Sequence, residues 1–231
     1  LAFISTSLGV AVLIIVSSVM NGFEKELKDR VLNVIPHASI YGLNPINDWE
    51  NIELNLNNDI NIKGISPYIE TEALIKSKSA VAGVLVNGVV ASKDKSVSVI
   101  HEFMQAGNFE NIQDENNIVL GRLLARKLNV DLGDKISLML PDSNSSFAGY
   151  FPRSKVFNVS GIFNIGSKDI DEALAYISLK NASILTGLSN QIHGFRLKFD
   201  DLFEAPYLVW QSLIFAEKNS NALLNAEDWS Y

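Results

Sequence analysis

Residues 1–27 read Leu1-Ala-Phe-Ile-Ser-Thr-Ser-Leu-Gly-Val-Ala-Val-Leu-Ile-Ile-Val-Ser-Ser-Val-Met20-Asn-Gly-Phe-Glu24-Lys-Glu-Leu27, and no charged residue precedes Glu24. As a helix rising about 1.5 Å per residue, the first twenty residues cover roughly 30 Å, the hydrocarbon thickness of a bilayer. Eleven of those twenty are Leu, Ile, Phe or Val. Each contributes on the order of −0.3 to −0.6 kcal/mol at mid-bilayer, so insertion is favourable before the hydroxyl groups take some back. The spacing therefore predicts a transmembrane helix over 1–22.

Two other readings of this run are weighed. A cleaved secretory signal has a shorter apolar core and an Ala-x-Ala site after it, and neither is present here. A buried helix of a soluble domain suits shorter runs. Ser5, Thr6, Ser7, Gly9, Ala11, Ser17 and Ser18 are small or weakly polar. Such residues let membrane helices approach one another closely, so helix partners are expected; alternatively, the hydroxyls simply bond to the preceding turn.

The remainder is an ordinary mixture of charged, polar and apolar residues, long enough for a sizeable core. Phe23, Leu27, Val31 and Val34 recur at helical spacing, while Glu24/Lys28, Lys25/Asp29 and Glu26/Arg30 form i,i+4 pairs of opposite sign. They predict an amphipathic stalk over 23–35, ended by Pro36, with Gly22 a candidate hinge. The net charge of −7 argues against a nucleic-acid partner. With no cysteine, disulfides, thiolate metal sites and cysteine nucleophiles are excluded.

Strands are predicted at 38–41, 68–77, 118–121, 135–140, 154–163, 174–179 and 193–199, and a valine-rich strand pair at 81–90 turning at Asn87-Gly88. Helices are predicted at 47–56, capped by Asn47 or Asp48, and at 97–105, 122–128, 181–186 and 202–215. The last would bury Leu202, Tyr207, Trp210 and Leu213. Strands and helices are interspersed, so the fold class is mixed α+β. The domain at 36–231 divides at the polar stretch 107–117, giving a first lobe of about 36–106 plus 192–231 and a second of about 107–191.

Catalytic machinery is not legible. His37, His101 and His193 lie far apart without ligand spacing, and no nucleophile elbow or phosphate-binding loop occurs. The carboxylates Asp169, Asp171, Glu172, Asp200 and Asp201 lack the glycine-centred calcium-loop pattern and read as solvated turns. The Asn-x-Ser/Thr tripeptides at Asn144, Asn158 and Asn181 read as chance occurrences. No metal or cofactor is expected. The loop between Pro141 and Pro152 stands apart, carrying Phe147, Tyr150 and Phe151 in a polar setting and followed by Arg153 and Lys155. It is longer than a chain reversal requires. Exposed aromatics beside two cations suit docking to an acidic, apolar-grooved protein; the alternative is that Phe147 or Phe151 folds back onto the sheet.

Six segments resemble a known family. These are Ser-Val-Met-Asn-Gly-Phe-Glu-Lys-Glu-Leu at 18–27, Val-Ile-Pro-His at 34–37, Ile-Val-Leu-Gly-Arg-Leu-Leu-Ala at 118–125, Leu-Gly-Asp-Lys-Ile at 132–136, Met-Leu-Pro at 139–141 and Phe-Asn-Val-Ser-Gly-Ile-Phe at 157–163. They are similar, in order, to the LolC/LolE-type membrane subunits of the lipoprotein-releasing ABC transporter. That family has a MacB-like periplasmic domain and belongs with the FtsX-like permeases.

The resemblance implies a permease subunit of the bacterial inner membrane, not an enzyme, whose periplasmic domain lies between the first and second of four membrane helices. This chain would then lack its cytoplasmic start and last three helices. Implied partners are a LolD-like ATPase, a second permease subunit (a paralogue or an identical copy), a LolA-like periplasmic carrier and the lipoprotein substrate. It also implies that Ser5, Gly9, Val12, Val16 and Met20 lie on a helix lining a lipid cavity. The carrier-docking loop would comprise Phe147, Ala148, Gly149, Tyr150, Phe151 and Pro152, with Arg153 and Lys155 as a basic patch beside it. Pro36-His37 and Asp48-Trp49-Glu50 look like LolE, whereas Phe157-Asn-Val resembles LolC, so either paralogue or a hybrid subunit is compatible. Related permeases that export peptides or signal across the envelope, and a signal-anchored periplasmic enzyme, are the alternatives.

Overall fold

The computed structural model describes residues 2–27, 36–140, 153–218, 220 and 222–230. The apolar run forms one helix, α1 (Ala2–Leu27), continuous through Gly22. Its span from Phe3 to Gly22 is long and apolar enough to cross a membrane, and none of it is buried against the rest of the protein. Phe3, Leu8, Ile14 and Val19 all stand bare. A helix apolar on every side and left uncovered is suited to lipid rather than water.

The domain begins with β1 (Ala38–Ile46), α2 (Trp49–Leu56), β2 (Ile62–Lys76), β3 (Val81–Val89) and the single turn α3 (Ala91–Asp94). A 3-10 turn (Ile100–Phe103), β4 (Met104–Gly107) and a second 3-10 turn (Phe109–Gln113) lead into β5 (Asn117–Gly121), α4 (Arg122–Leu128) and β6 (Lys135–Met139). There follow β7 (Ser154–Phe163), α5 (Lys168–Ala173), β8 (Leu174–Ser178), α6 (Leu179–Thr186) and β9 (Ile192–Phe199). A 3-10 turn (Leu202–Glu204), α7 (Ala205–Glu217) and β10 (Leu224–Asp228) complete the described chain. The expected mixed α+β class with an N-terminal apolar helix is the one found.

All ten strands join one sheet in the order β10-β1-β9-β2-β3-β8-β5-β7-β4, with β6 bridging β2 and β7. That bridge closes a ring. β2 pairs β3, β3 pairs β8, β8 pairs β5, β5 pairs β7, β7 pairs β6, and β6 returns to β2 through Leu74↔Met139 to Lys76↔Ser137. The other strands, β10, β1 and β9, extend as an open sheet from the first half of β2, which pairs β9 from Ile62 to Tyr68. The larger core joins Phe157, Ile136 and Leu138 of the ring to Phe195, Leu197 and Phe199 of the open sheet. Burying each such side chain stabilises by roughly 1.5–3 kcal/mol. A smaller core gathers Phe109, Phe163 and Tyr176, whose rings meet edge to face.

Three expectations are corrected and one is refined. Asn87-Gly88 is not a turn, because β3 runs straight through it; Asn87 accepts a hydrogen bond from Arg196, and a Cβ on Gly88 would come 2.1 Å from that of Ala182, so the glycine serves close approach of α6. Residues 97–105 form only a 3-10 turn and then β4, whose Met104 and Ala106 pair with β7 in place of continuing a helix. Asp48 takes the N-cap position of α2 but caps it only through its carbonyl, being left-handed at φ 47° with no side-chain bond, and Asn47 instead accepts from Gln191. On α7 the buried face is Ala205, Val209, Ser212 and Ala216, while Tyr207 and Trp210 point outward and Leu213 is half-buried. Small residues let α7 lie close against the sheet, where the Ser212 hydroxyl donates to the buried Asp59 carboxylate at 2.5 Å.

Candidate membrane helix and docking loop

Ser5, Gly9, Val12, Val16 and Met20 fall at i, i+4, i+7, i+11 and i+15 of α1, one stripe of the helix, and all five are exposed. A Cβ on Gly9 would meet nothing within 4 Å, leaving a notch where another apolar surface can seat.

The second candidate lies in sequence between β6 and β7 of the ring. β6 and β7 are antiparallel from Lys135↔Asn158 to Met139↔Ser154, and the Leu140 amide donates to the Arg153 carbonyl at 3.0 Å, closing the base of the connection. Phe147, Ala148, Gly149, Tyr150, Phe151 and Pro152 lie outside the described residues. At the base, the Arg153 guanidinium donates to the Thr186 carbonyl at 2.5 Å, and the Lys155 ammonium donates to the Asn181 side-chain oxygen at 2.7 Å. Lys155 also sits 5.8 Å from the Phe157 ring centre. Both cations therefore reach α6. Arg153 meets its C-terminal carbonyls, where the helix dipole favours positive charge by about 0.3–1 kcal/mol.

A polar cluster that sequence reasoning missed lies where the open sheet meets the ring. Arg196, buried, donates to Glu70 at 3.0 Å and to Asn87 at 2.5 Å, with its guanidinium 4.8 Å from the Tyr68 ring centre. Burial alone would lower its pKa, but Tyr176, Asp94, Glu70 and Tyr68 outweigh it and hold the pKa above the ordinary arginine value. Burial pushes Tyr68 up to about 12 and Asp94 up to about 6, against the pull of Arg196. Glu227 is raised as well, by burial and then by Glu70 and Asp228. Among the described residues, Asp94 Oδ1 and Ser66 Oγ are buried without a hydrogen-bond partner. Isolated arginines give no sequence signal for such a cluster, since the contacts of Arg196 lie 126 and 109 residues away.

His37 and His193 hold backbone amides. His37 Nδ1 accepts from the Phe199 amide and His193 Nδ1 from the Glu70 amide, and burial lowers the pKa of His193. The expected solvated turn at Asp171 is corrected: this carboxylate is buried and accepts from the Ile165 and Gly166 amides, each at 2.9 Å. Glu172 and Asp200 instead form surface pairs with Lys127 and Lys63. No group of three or more metal-ligating side chains occurs among the described residues.

A family model for the MacB-like periplasmic core domain matches residues 1–202. The chain is 36% identical over 227 residues to the lipoprotein-releasing system transmembrane protein LolC of Neisseria meningitidis serogroup B, covering 97% of this chain and 54% of that protein. It is also 36% identical over 208 residues to the lipoprotein-releasing system transmembrane protein LolE of Haemophilus influenzae, covering 87% of this chain and 50% of that protein. The chain thus spans about half the length of the curated relatives it matches. In three dimensions it resembles the periplasmic region of MacB from Actinobacillus actinomycetemcomitans, with a TM-score of 0.52 and 10% identity over 88% of this chain and 94% of that one, a likeness of fold alone.

Proposed function

We propose, since this chain belongs to the MacB-like periplasmic core domain family, that it is the first membrane helix and periplasmic domain of a LolC/LolE-type permease that passes lipoproteins from the bacterial inner membrane to a soluble carrier. The observation that carries this reading is 36% identity maintained over 97% of the chain, from the apolar helix through the domain, to a lipoprotein-releasing transmembrane protein. In this reading the permease performs no chemistry of its own. A separate LolD-like ATPase drives it, and a second permease subunit completes the membrane cavity.

The physical demand explains the division of labour. An acyl chain of about fourteen methylenes costs roughly 11 kcal/mol to bring into water at about 0.8 kcal/mol per methylene, so cargo must pass between apolar surfaces. The α1 stripe Ser5, Gly9, Val12, Val16 and Met20 would form part of the first such surface. The loop from Phe147 to Pro152, held at its base by Arg153 and Lys155, would place the carrier at the far side. We further propose that 36–106 with 192–231, and 107–191, act as two lobes.

Site-specific photocrosslinking tests both sites in the full-length permease. A photoreactive residue at Tyr150 should capture the purified LolA-like carrier, and one at Val12 should capture lipoprotein acyl chains. Acyl adducts at Val12 without carrier adducts at Tyr150 would remove the docking role; no adduct at either would remove the lipoprotein reading.

A further inference from the structure

The face of α7 turned away from the sheet is not what a surface helix ordinarily presents. Tyr207, Trp210 and Ile214 follow one another at i, i+3 and i+7 and are 69%, 52% and 70% exposed, and Phe203 of the preceding 3-10 turn, whose ring also meets Trp229 edge to face, is 60% exposed. The opposite face fully buries Ala205, Val209, Ser212 and Ala216, with Leu208 and Leu213 half-buried against the core. Tyr207, Trp210 and Ile214 thus make the outward face as apolar as the inward one, unlike the usual amphipathic arrangement. The helix carries no charge from Ala205 to Ala216. Scattered exposed apolar residues need no explanation, but a continuous stripe marks an interaction surface. Tyrosine and tryptophan suit such a surface because each joins an apolar body to a polar tip.

Charge selects the occupant. The stripe starts beside the exposed Asp201 and Glu204, and it ends at the Glu217–Lys218 pair, which is neutral in sum. Anionic lipid headgroups would meet acidic residues at one end and no excess of cations at the other. A second copy related by a two-fold axis would bring to Asp201 and Glu204 either the same two carboxylates or the neutral Glu217–Lys218 pair. Each copy also has a net charge of −7. A cationic edge on a different protein is the complement that remains.

We propose that the Tyr207–Trp210–Ile214 face of α7, together with Phe203 just before it, docks a non-identical protein through an apolar surface edged with lysine or arginine that meets Asp201 and Glu204. This interface is separate from the carrier loop and does not depend on the lipoprotein reading. The test uses the full-length protein in its native membrane, with benzoylphenylalanine replacing Tyr207 and, as a control, the exposed Glu102.

Irradiation should yield an adduct at position 207 and not at 102. The cross-linked peptide, sequenced by mass spectrometry, should come from another protein and contain lysine or arginine next to apolar residues. Glu204→Lys should cut that adduct at least fivefold; if this variant melts earlier, Glu204→Gln is read instead and should cut it about twofold. Adducts to a second copy or to lipid alone, a peptide without cations, no adduct at 207, or a yield indifferent to the charge at 204 would each overturn the proposal. Loss of carrier capture at Tyr150 would leave it standing.

Discussion

Replacing Arg196 by methionine keeps most of the side-chain volume but removes the guanidinium that ties β9 to β2 and β3. Three contributions set the expected loss. The Asn87 side-chain oxygen, 2.5 Å from the guanidinium on a residue only 2% exposed, would be left without a donor; an orphaned buried acceptor costs about 1–3 kcal/mol. The stacking of the cation over Tyr68 at 4.8 Å contributes about 1 kcal/mol. The Glu70 pair contributes less, about 0.5 kcal/mol, because the Glu70 side chain is 40% exposed and regains water. The sum is about 2.5–4.5 kcal/mol, reduced slightly because no guanidinium need then be desolvated.

Urea unfolding of the detergent-solubilised chain, followed by the fluorescence of Trp49, Trp210 and Trp229, measures this loss. The double variant Arg196→Met/Asn87→Leu separates the orphaned amide from the rest and should recover about 1–2 kcal/mol of the single-variant loss. If Arg196→Met destabilises by less than about 1 kcal/mol, or the second substitution adds to the loss instead of relieving it, the account of a satisfied buried network is wrong.

Gly88→Val should destabilise by about 1–3 kcal/mol, because its Cβ would fall 2.1 Å from that of Ala182 and force α6 off the sheet. Gly83→Val, on the same strand but facing open space, should be neutral or stabilising in the same thermal melts. Burial raises Asp94 from 3.8 to about 6, so its contribution is fully present below pH 4 and is lost as pH rises through 6. The loss is on the order of 3 kcal/mol. Asp94→Asn should flatten that slope, and an unchanged pH profile would show that another group titrates. Asp171→Asn should cost about 1–3 kcal/mol in urea titrations, since one of the amides at Ile165 and Gly166 then faces an NH2 group instead of a carboxylate oxygen.

Legibility followed the range of the interaction. The apolar N-terminal helix was readable because its run of apolar residues is local, and β7 because Phe157 and Val159 alternate inward against the exposed Val156. α7 was readable as a helix but not in its phase, since counting apolar residues assigns Tyr207 and Trp210 to the core when the close approach demands Ala205 and Ala216. Asn87-Gly88 carries the local signal of a hairpin turn, which the approach of α6 overrides. Closure of the ring by β6 and the cluster around Arg196 depend on pairings distant in sequence, which no local pattern announces. At the proposed docking loop, Arg153 and Lys155 could be read as following it, but not that both bond to α6.

β2 deserves its length. Its fifteen residues extend about 50 Å at roughly 3.3 Å each, and along one edge they pair first with β9 of the open sheet and then with β6 of the ring. A single continuous strand thus runs through both. A push delivered to the open sheet would arrive at the foot of the β6–β7 hairpin as displacement, not be lost in bending. Anything held at the ends of β6 and β7 would be carried along as by a crank.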